Sequence, residues 1–241
     1  MIERIDGRRP DQLRPLAFLP GVSPYAEGSA EVQCGKTKLL ISATIETEVP
    51  PWMKEGQGGW ITAEYGMLPR ATHSRNKREA AQGKQSGRTL EIQRLIGRAM
   101  RAALDIGELP GLTIRLDCDV LCADGGTRTA AISGAWLALY QAMRWAKKKG
   151  LVRPDFPVHQ VAAVSVGVVK GTPLLDLCYE EDSQADFDLN VVLDHELSIV
   201  EIQGTAERGS VSAPVLNKLL GEATEGIRSI MDLQQAAAAA L

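Results

Sequence analysis

The segment from Leu112 to Lys149 constrains the fold more than any other part of the chain. Apolar side chains alternate with polar ones from Leu112 to Leu121, which is the period of a β-strand with one buried face. A glycine turn follows, and an apolar stripe with helical spacing then runs from about Thr127 to Lys149. A strand that leads through a tight turn into a long amphipathic helix requires a sheet with a helix packed on it.

Further strand and helix patterns surround this unit, so we predict an α+β fold whose first strands form an antiparallel sheet. The length of 241 residues fits one large domain or two small ones. The other predicted strands are Ala30–Gln33, Lys38–Thr47, Trp60–Leu68, Val161–Val169, Leu174–Tyr179, Asp188–Leu193 and Ser198–Gln203, and the other predicted helices run from Gly87 to about Leu104 and from Ala213 to about Gln234.

The composition is that of an ordinary globular protein, with 44 % hydrophobic and 24 % charged residues. No run approaches the roughly 18 consecutive apolar residues that a membrane helix needs, and the N-terminal residues from Met1 to Asp6 contain no apolar signal region. The four cysteines and three histidines are too scattered for a structural zinc site. We therefore predict a cytoplasmic protein with free thiols and no membrane partner.

Charge is distributed unevenly along the chain, although the net charge is only −3. Between Arg70 and Arg94 there are seven Lys or Arg residues against two acids, whereas nine acids and no Lys or Arg lie between Glu180 and Glu207. The basic stretch suits a polyanion and the acidic stretch suits a metal cation. Taken alone, a charge run of either sign is more often a solvated face.

The glycine turn before the second long helix is a candidate anion site. Gly125 and Gly126 let the backbone approach a ligand, and the first N–H groups of a helix lack partners within it. A cation in the first turn, here Arg128, is unfavourable unless an anion binds there. The alternative is a plain glycine turn with Thr127 as the helix cap.

The first long helix begins in a similar way, with Gly87 and Arg88, so the two helix starts could converge on one anion. The alternative for Arg88 is an ion pair with Glu91 on the helix surface. The preceding segment from Pro69 to Ser86 is basic and lacks an apolar period, which predicts a long loop with a helical turn near Asn76–Ala81.

Two carboxylates, Asp182 and Asp188, flank a polar turn between two predicted strands. Such a turn can direct both toward one hard cation, although acidic turns without a ligand are frequent. Asp117 and Asp119 share one face of a strand and form a weaker candidate, because Arg115 on that face could be their structural partner.

Several long runs form a pattern that is far more specific than any single motif. They are DGRRPDQLRP (Asp6–Pro15), EGS (Glu27–Ser29), GWITAEYGMLPRATHSRNKREA (Gly59–Ala80), GKQSGRTLEIQRLIGRA (Gly83–Ala99), DCDVLCADGGTRTA (Asp117–Ala130), DLCYEEDSQADFDLNVV and EIQGTAE. Together they resemble the ribonuclease PH family, whose members are related to polynucleotide phosphorylase and to the exosome ring subunits.

The resemblance implies a ribosomal protein S5 domain 2-like fold, with a mixed sheet packed with helices, as a single domain over residues 1–241. It implies a homohexameric ring built as a trimer of dimers. The implied activity is that of a tRNA nucleotidyltransferase, which trims tRNA precursors and other RNA 3′ ends by phosphate-dependent 3′-5′ phosphorolysis. Nucleoside 5′-diphosphates would be released, and the reverse reaction would add nucleotides.

The resemblance also implies roles for individual residues. It assigns binding of the co-substrate, inorganic phosphate, to Arg88, Gly126, Thr127 and Arg128. It assigns a metal site for Mg²⁺ or Mn²⁺ to Asp182 and Asp188, and catalysis to these two aspartates with Arg88 and Arg128. It places Arg70, Arg75 and Arg78 at the RNA entrance.

Three other functions remain open at this point. A catalytically silent RNA-binding ring subunit would lack the arginine or aspartate motifs, which are all present. A magnesium-dependent hydrolase would have no need of two arginines placed for a free phosphate. A metabolic enzyme that binds a phosphorylated small molecule is compatible with the spacing of the motifs.

Overall fold

The computed structural model describes residues 4–54 and 56–241. Its strands are β1 (Leu16–Pro20), β2 (Gly28–Cys34), β3 (Thr37–Glu46), β4 (Trp60–Met67), β5 (Thr113–Cys122), β6 (Val161–Val169), β7 (Thr172–Leu175), β8 (Phe187–Asp194) and β9 (Ile199–Ala206). Its helices are α1 (Glu79–Gln82), α2 (Gly87–Arg101), α3 (Thr127–Lys148), α4 (Tyr179–Asp182) and α5 (Ala213–Ala239). Within these ranges, one sheet has the order β1-β2-β3-β5-β4 and the other has the order β7-β6-β8-β9.

The five-stranded sheet is mixed. The strand predicted from Leu112 to Leu121 is β5, and its apolar side chains are buried as the alternation predicted. The prediction that the first strands form an antiparallel sheet is confirmed for β2 and β3 but is wrong for β4, which pairs with β5 in parallel. Parallel neighbours need a crossover connection, and here α1 and α2 lie between the two strands in sequence.

Helix α3 packs against both sheets and is buried over most of its surface. The predicted stripe is confirmed as buried, and it consists of Ile132, Ala135, Trp136, Leu139 and Met143. A Cβ on Gly134 would lie 2.3 Å from Val32 Cγ2, so glycine is what allows α3 to approach β2 so closely. The core cluster around α3 draws residues from both sheets, and the single domain over residues 1–241 stays a prediction.

β1 and α5 differ from the sequence-based prediction. β1 was not predicted, because a short run that ends in Pro20 has too few residues to show a period, and its pairing with β2 makes it a strand. α5 continues beyond Gln234 through the terminal alanines, where Ala238 is buried. Alanine has the highest helix propensity, and this contact anchors the last turns.

The polar turn predicted between Asp182 and Asp188 is confirmed at Ser183 and Gln184, but a short helix and not a strand precedes it. β7 ends at Leu175 rather than at Tyr179, and Tyr179 begins the short helix α4. Glu181 accepts a hydrogen bond from the backbone N–H of Cys178 at 3.1 Å and one from Arg4 Nη2 at 2.7 Å. These buried contacts close a helical turn that ends at Asp182.

In the part of the chain that the structure describes, no helix is both long enough and apolar enough to cross a bilayer. Residues 1–3, which belong to the N-terminal segment predicted to lack a signal region, lie outside the described residues.

Candidate active site

Most of the predicted site residues line one open cleft with a volume of about 890 Å³. Its walls are the loop after β4, the first turns of α2 and α3, helix α4 and the ends of β8 and β9. The predicted residues that line it are Arg88, Gly126, Thr127, Arg128, Asp182 and Asp188. The two glycine-led helix starts therefore do converge, and they do so beside the two aspartates.

The loop before α3 needs glycine at two positions because of its backbone conformation and its close packing. Gly125 and Gly126 have φ angles of 75° and 63°, in the left-handed region. A Cβ on Gly125 would lie 2.6 Å from the carbonyl oxygen of Leu177, so the loop also packs directly on the segment before α4. This close packing brings the start of α3 next to the acidic helix.

Gly126, and not Thr127, is the N-cap of α3, and it supplies no side-chain cap. The hydroxyl of Thr127 instead accepts a hydrogen bond from Tyr65 Oη at 2.9 Å. Burial raises the pKa of Tyr65, which keeps its hydroxyl protonated as the donor. Among the described residues no side chain caps the start of α3, so its first N–H groups are available to an anion.

Arg128 lies in the first turn of α3 with only 18 % of its side chain exposed. Its Nη1 donates to Gln203 Oε1 at 3.3 Å and lies 3.8 Å from Glu91 Oε1. Glu91 is thus placed beside Arg128 and not in the alternative ion pair with Arg88. Within the described ranges Arg88 forms no ion pair, and its exposed side chain lines the same cleft.

The start of α2 is capped by Ser86, the residue that directly precedes the helix. Ser86 Oγ accepts a hydrogen bond from the N–H of Thr89 at 3.1 Å. Glu79 Oε1 accepts from Thr89 Oγ1 at 2.8 Å and from the N–H of Ser86 at 3.2 Å, which ties α1 to the start of α2. These contacts fix the backbone on either side of Arg88.

The two aspartates line the same cleft from other elements, Asp182 at the end of α4 and Asp188 in β8. Asp182 is exposed to the cleft, but partial desolvation by the cleft walls still raises its pKa, and the positive charges of Arg128 and Arg88 oppose this. Burial, and then the negative charge of Asp182, raise the pKa of Asp188. Each carboxylate lacks an ion-pair partner among the described residues, so the pair has unsatisfied negative charge.

This donor set fits a hard divalent cation. Magnesium usually takes one or two carboxylates and completes its coordination with water and substrate phosphate. The described residues contain no group of three or more His, Cys, Asp or Glu side chains able to hold a metal on their own. A cation here would therefore depend on the two aspartates and on oxygen atoms of water or substrate.

The arginines of the basic loop lie apart from this arrangement. Arg70, Arg75 and Arg78 are exposed and do not line the cleft, whereas their neighbours His73 and Ser74 do. Their role at an RNA entrance stays a prediction.

Asp117 and Asp119 lie on β5, outside the cleft lining. Arg115 forms its ion pair with Glu46, at 2.7 Å, so it is not the partner expected for these aspartates. Glu64 on β4 lies directly opposite Asp117 in the strand register. Burial is the main cause that raises the pKa of Asp117, and the negative charge of Glu64 raises it further.

Sequence reasoning missed Tyr179, which begins α4 and lines the cleft with half of its side chain exposed. Its ring centroid lies 6.2 Å from that of His73 on the basic loop. An aromatic residue at the end of a predicted strand is expected to lie in the hydrophobic core, so the sequence pattern did not indicate that Tyr179 lines the cleft. The two rings give the cleft an aromatic surface beside its charged one.

Two family models match the chain. The first domain of the 3′ exoribonuclease family matches residues 12–144, and the second domain of that family matches residues 159–226. The proteins named ribonuclease PH from two strains of Caulobacter vibrioides are 54 % identical to this chain over 230 residues, which covers 95 % of this chain and 97 % of each relative.

Solved structures share the fold at low sequence identity. The crystal structure of rice Rrp46 matches with a TM-score of 0.78 and 19 % identity, over 98 % of this chain and 100 % of that one. A structure of an archaeal exosome core matches with a TM-score of 0.76 and 23 % identity, over 97 % and 91 % of the two chains. An Archaeoglobus fulgidus exosome with RNA bound to the active site matches with a TM-score of 0.77 and 23 % identity, over 95 % and 92 %.

Proposed function

This chain belongs to the ribonuclease PH family of 3′ exoribonucleases, and from that premise we propose that its cleft removes nucleotides from RNA 3′ ends by attack of inorganic phosphate. Precursors of tRNA are the proposed physiological substrates. The observation that carries the proposal is that two arginine-bearing helix starts and two aspartates line one cleft. A hydrolase would need the carboxylates but not a second, cationic wall.

The cationic wall is suited to the attacking phosphate. Arg88 and Arg128 supply two guanidinium groups, and the N–H groups at the start of α3 supply further donors. Guanidinium groups bind phosphate through paired, charge-assisted hydrogen bonds. Together they would neutralise the dianion and hold one of its oxygens toward the RNA.

The two aspartates of the cleft are suited to the leaving group of the reaction. We propose that Asp182 and Asp188 hold Mg²⁺ or Mn²⁺, a role that their unpaired charges and raised pKa values support. When bound, the cation would supply positive charge for the leaving 3′-oxygen. The two aspartates would hold the cation in the cleft that Arg88 and Arg128 also line, so that phosphate and the RNA 3′ end would meet there.

The reaction balances without any further reagent. A phosphate oxygen forms a bond to the phosphorus of the last phosphodiester, while the bond from that phosphorus to the 3′-oxygen breaks. The terminal nucleotide leaves as a nucleoside 5′-diphosphate, and the 3′-oxygen of the shortened RNA takes up a proton. One phosphorus–oxygen bond replaces another of the same kind, so the reaction is reversible. An excess of nucleoside 5′-diphosphate should therefore drive the addition of nucleotides to the RNA 3′ end.

The identity of the released nucleotide tests this function. A short RNA with a labelled 3′-terminal nucleotide is incubated with Mg²⁺, with and without inorganic phosphate, and the product is separated by chromatography. We expect the released product to be a nucleoside 5′-diphosphate, and we expect it to form only when inorganic phosphate is present. Monophosphate released regardless of phosphate would mean hydrolysis, and RNA binding without any release would mean a silent subunit.

The basic loop supplies a second, separable prediction. We expect Arg75→Ala to weaken RNA binding and to lower the slope of log affinity against log salt by about 0.7, the value for one phosphate contact on a single strand. The affinity for inorganic phosphate should not change. Filter binding across a salt series measures the slope, and Arg228→Ala, an exposed arginine on α5, is the matched control. An unaltered salt slope for Arg75→Ala would remove this loop from the RNA path.

We also propose that the active form is a homohexamer, a trimer of dimers, located in the cytoplasm. The exosome assemblies among the solved structures that share this fold support an oligomeric state. Analytical ultracentrifugation of the purified chain distinguishes a hexamer from a dimer or monomer.

A further inference from the structure

A buried ion pair joins the segment before β1 to the turn between β7 and α4. Arg14 Nη2 donates to Asp176 Oδ1 at 2.6 Å, and Arg14 Nε donates to Asp176 Oδ2 at 3.0 Å. The backbone N–H of Arg14 donates to the same Oδ2 at 2.8 Å. The two side chains are only 3 % and 5 % exposed, so water cannot replace either partner.

The same guanidinium group also holds the glycine loop in front of α3. Arg14 Nη1 donates to the carbonyl oxygen of Asp124 at 2.6 Å and lies 3.5 Å from that of Gly125. Thr37 Oγ1 donates to the carbonyl oxygen of Gly125 at 2.8 Å and accepts from the N–H of Asp124 at 2.9 Å. The carbonyl groups of this loop are therefore held by protein donors.

Holding these carbonyl groups also orients the N–H groups that follow them. A planar trans peptide directs its C=O and N–H to opposite sides, so fixing the carbonyls of Asp124 and Gly125 fixes the N–H groups of Gly125 and Gly126. Both glycines line the cleft. A Cβ on Gly126 would lie 2.7 Å from Arg14 Nη2, so a movement of Arg14 would reach the N-cap of α3 directly.

Asp176 is held in a conformation that few residues adopt. Its φ is 55°, in the left-handed region, and its N–H donates to the carbonyl oxygen of Ser165 at 2.7 Å. Burial alone would raise the pKa of Asp176, but the hydrogen bonds and the charge of Arg14 hold it below the usual range. A buried ion pair is a weak source of net stability compared with apolar residues of similar size. The contacts to the loop point to another role.

We propose that Arg14 and Asp176 are positioning residues, which set the conformation of the Asp124–Gly126 loop and thereby the affinity of the cleft for inorganic phosphate. This inference rests on the proposed function, because it concerns the same phosphate site. Neither side chain is among the described residues that line the cleft, so both act through the loop backbone.

The double variant Arg14→Met/Asp176→Asn tests the proposal. Methionine fills much of the space of arginine but donates nothing to the carbonyls of Asp124 and Gly125. Asparagine tolerates the left-handed region and still accepts the backbone N–H of residue 14. Arg8 also forms an ion pair with Asp176, at 3.6 Å, but it keeps its ion pairs with Asp6 and Glu181. Removing the charges of residues 14 and 176 together therefore leaves no buried ion without a partner, so the protein should remain folded.

Calorimetry measures the binding of inorganic phosphate to the full chain directly, apart from turnover. We expect the double variant to bind phosphate about 10-fold more weakly or worse, since a small misplacement of binding groups has effects of this size. The KM for phosphate should rise in step, while the KM for RNA and the kcat at saturating phosphate stay close to wild type. Arg14→Lys keeps the charge beside Asp176 and should fold in any case, with a weakened phosphate affinity in the same direction.

The control is Gln234→Leu, which removes buried hydrogen bonds to the carbonyl oxygens of Ser133 and Val161 and leaves the loop contacts intact. It should lower the unfolding temperature and leave the phosphate affinity unchanged. Wild-type phosphate affinity in both folded Arg14 variants would overturn the positioning role. Absence of phosphate binding by the wild-type protein would instead overturn the proposed function, so the two failures are distinguishable.

Discussion

Arg128→Ala should lower the phosphate-dependent rate by about 10²- to 10³-fold, the cost of removing one preorganised donor from an active site. Arg128 is largely enclosed, and its guanidinium is held by Gln203 and Glu91 before any ligand binds. Little reorganisation is then needed when phosphate arrives, so its contribution should be large. Initial rates measured across a phosphate series give the change in kcat/KM for phosphate.

One further variant separates geometry from charge at Arg128, and a second is a control outside the cleft. Arg128→Lys keeps the charge but loses the planar fork, so its rate should fall between those of Arg128→Ala and the wild type. Arg153→Ala removes an exposed arginine that pairs with Glu108 outside the cleft, and it should be silent. A phosphate-dependent rate for Arg128→Ala equal to the wild-type rate would show that the phosphate binds elsewhere.

Asp182→Asn should lower the cation-dependent activity by about 10²-fold or more, and should at the same time raise the unfolding temperature slightly at neutral pH, because the side chain is exposed and solvent screens its charge. The activity falls because one of two proposed cation ligands loses its charge. Binding of Mn²⁺ followed by electron paramagnetic resonance should weaken in parallel. Asp186→Asn, a neighbouring acid that does not line the cleft, is the matched control and should change neither property.

The stability gain follows from the sign of the pKa shift. The pKa of Asp182 is higher in the folded state, chiefly because burial disfavours the charged form. Between the unfolded and folded pKa values the folded state binds more protons, so stability falls as the pH rises through that window. Asparagine removes this cost, so the gain should be complete above the folded pKa and absent below the unfolded one. Thermal unfolding at acid and neutral pH checks this. An unfolding temperature that does not rise at neutral pH would mean that the carboxylate is paired in solution.

Local patterns predicted the elements that carry the site. The alternation in β5, the stripe of α3 and the glycines before α2 and α3 depend on neighbours along the chain, so sequence alone revealed them. The resemblance to a known family added which arginines and aspartates to expect. Boundaries were less well predicted where a tertiary contact decides them, as in α4, whose turn is closed by Arg4.

The class of fold, the residue types available for chemistry and the helix starts that present them can all be derived from the amino-acid sequence. Tertiary contacts place Arg128 beside Gln203 and Glu91, and they join Arg14 to Asp176, 162 positions away, next to the Asp124–Gly126 loop. Periodicity and capping act between neighbours in the chain. Pairing between distant charged groups depends on how the sheets pack around α3, and no local pattern encodes it.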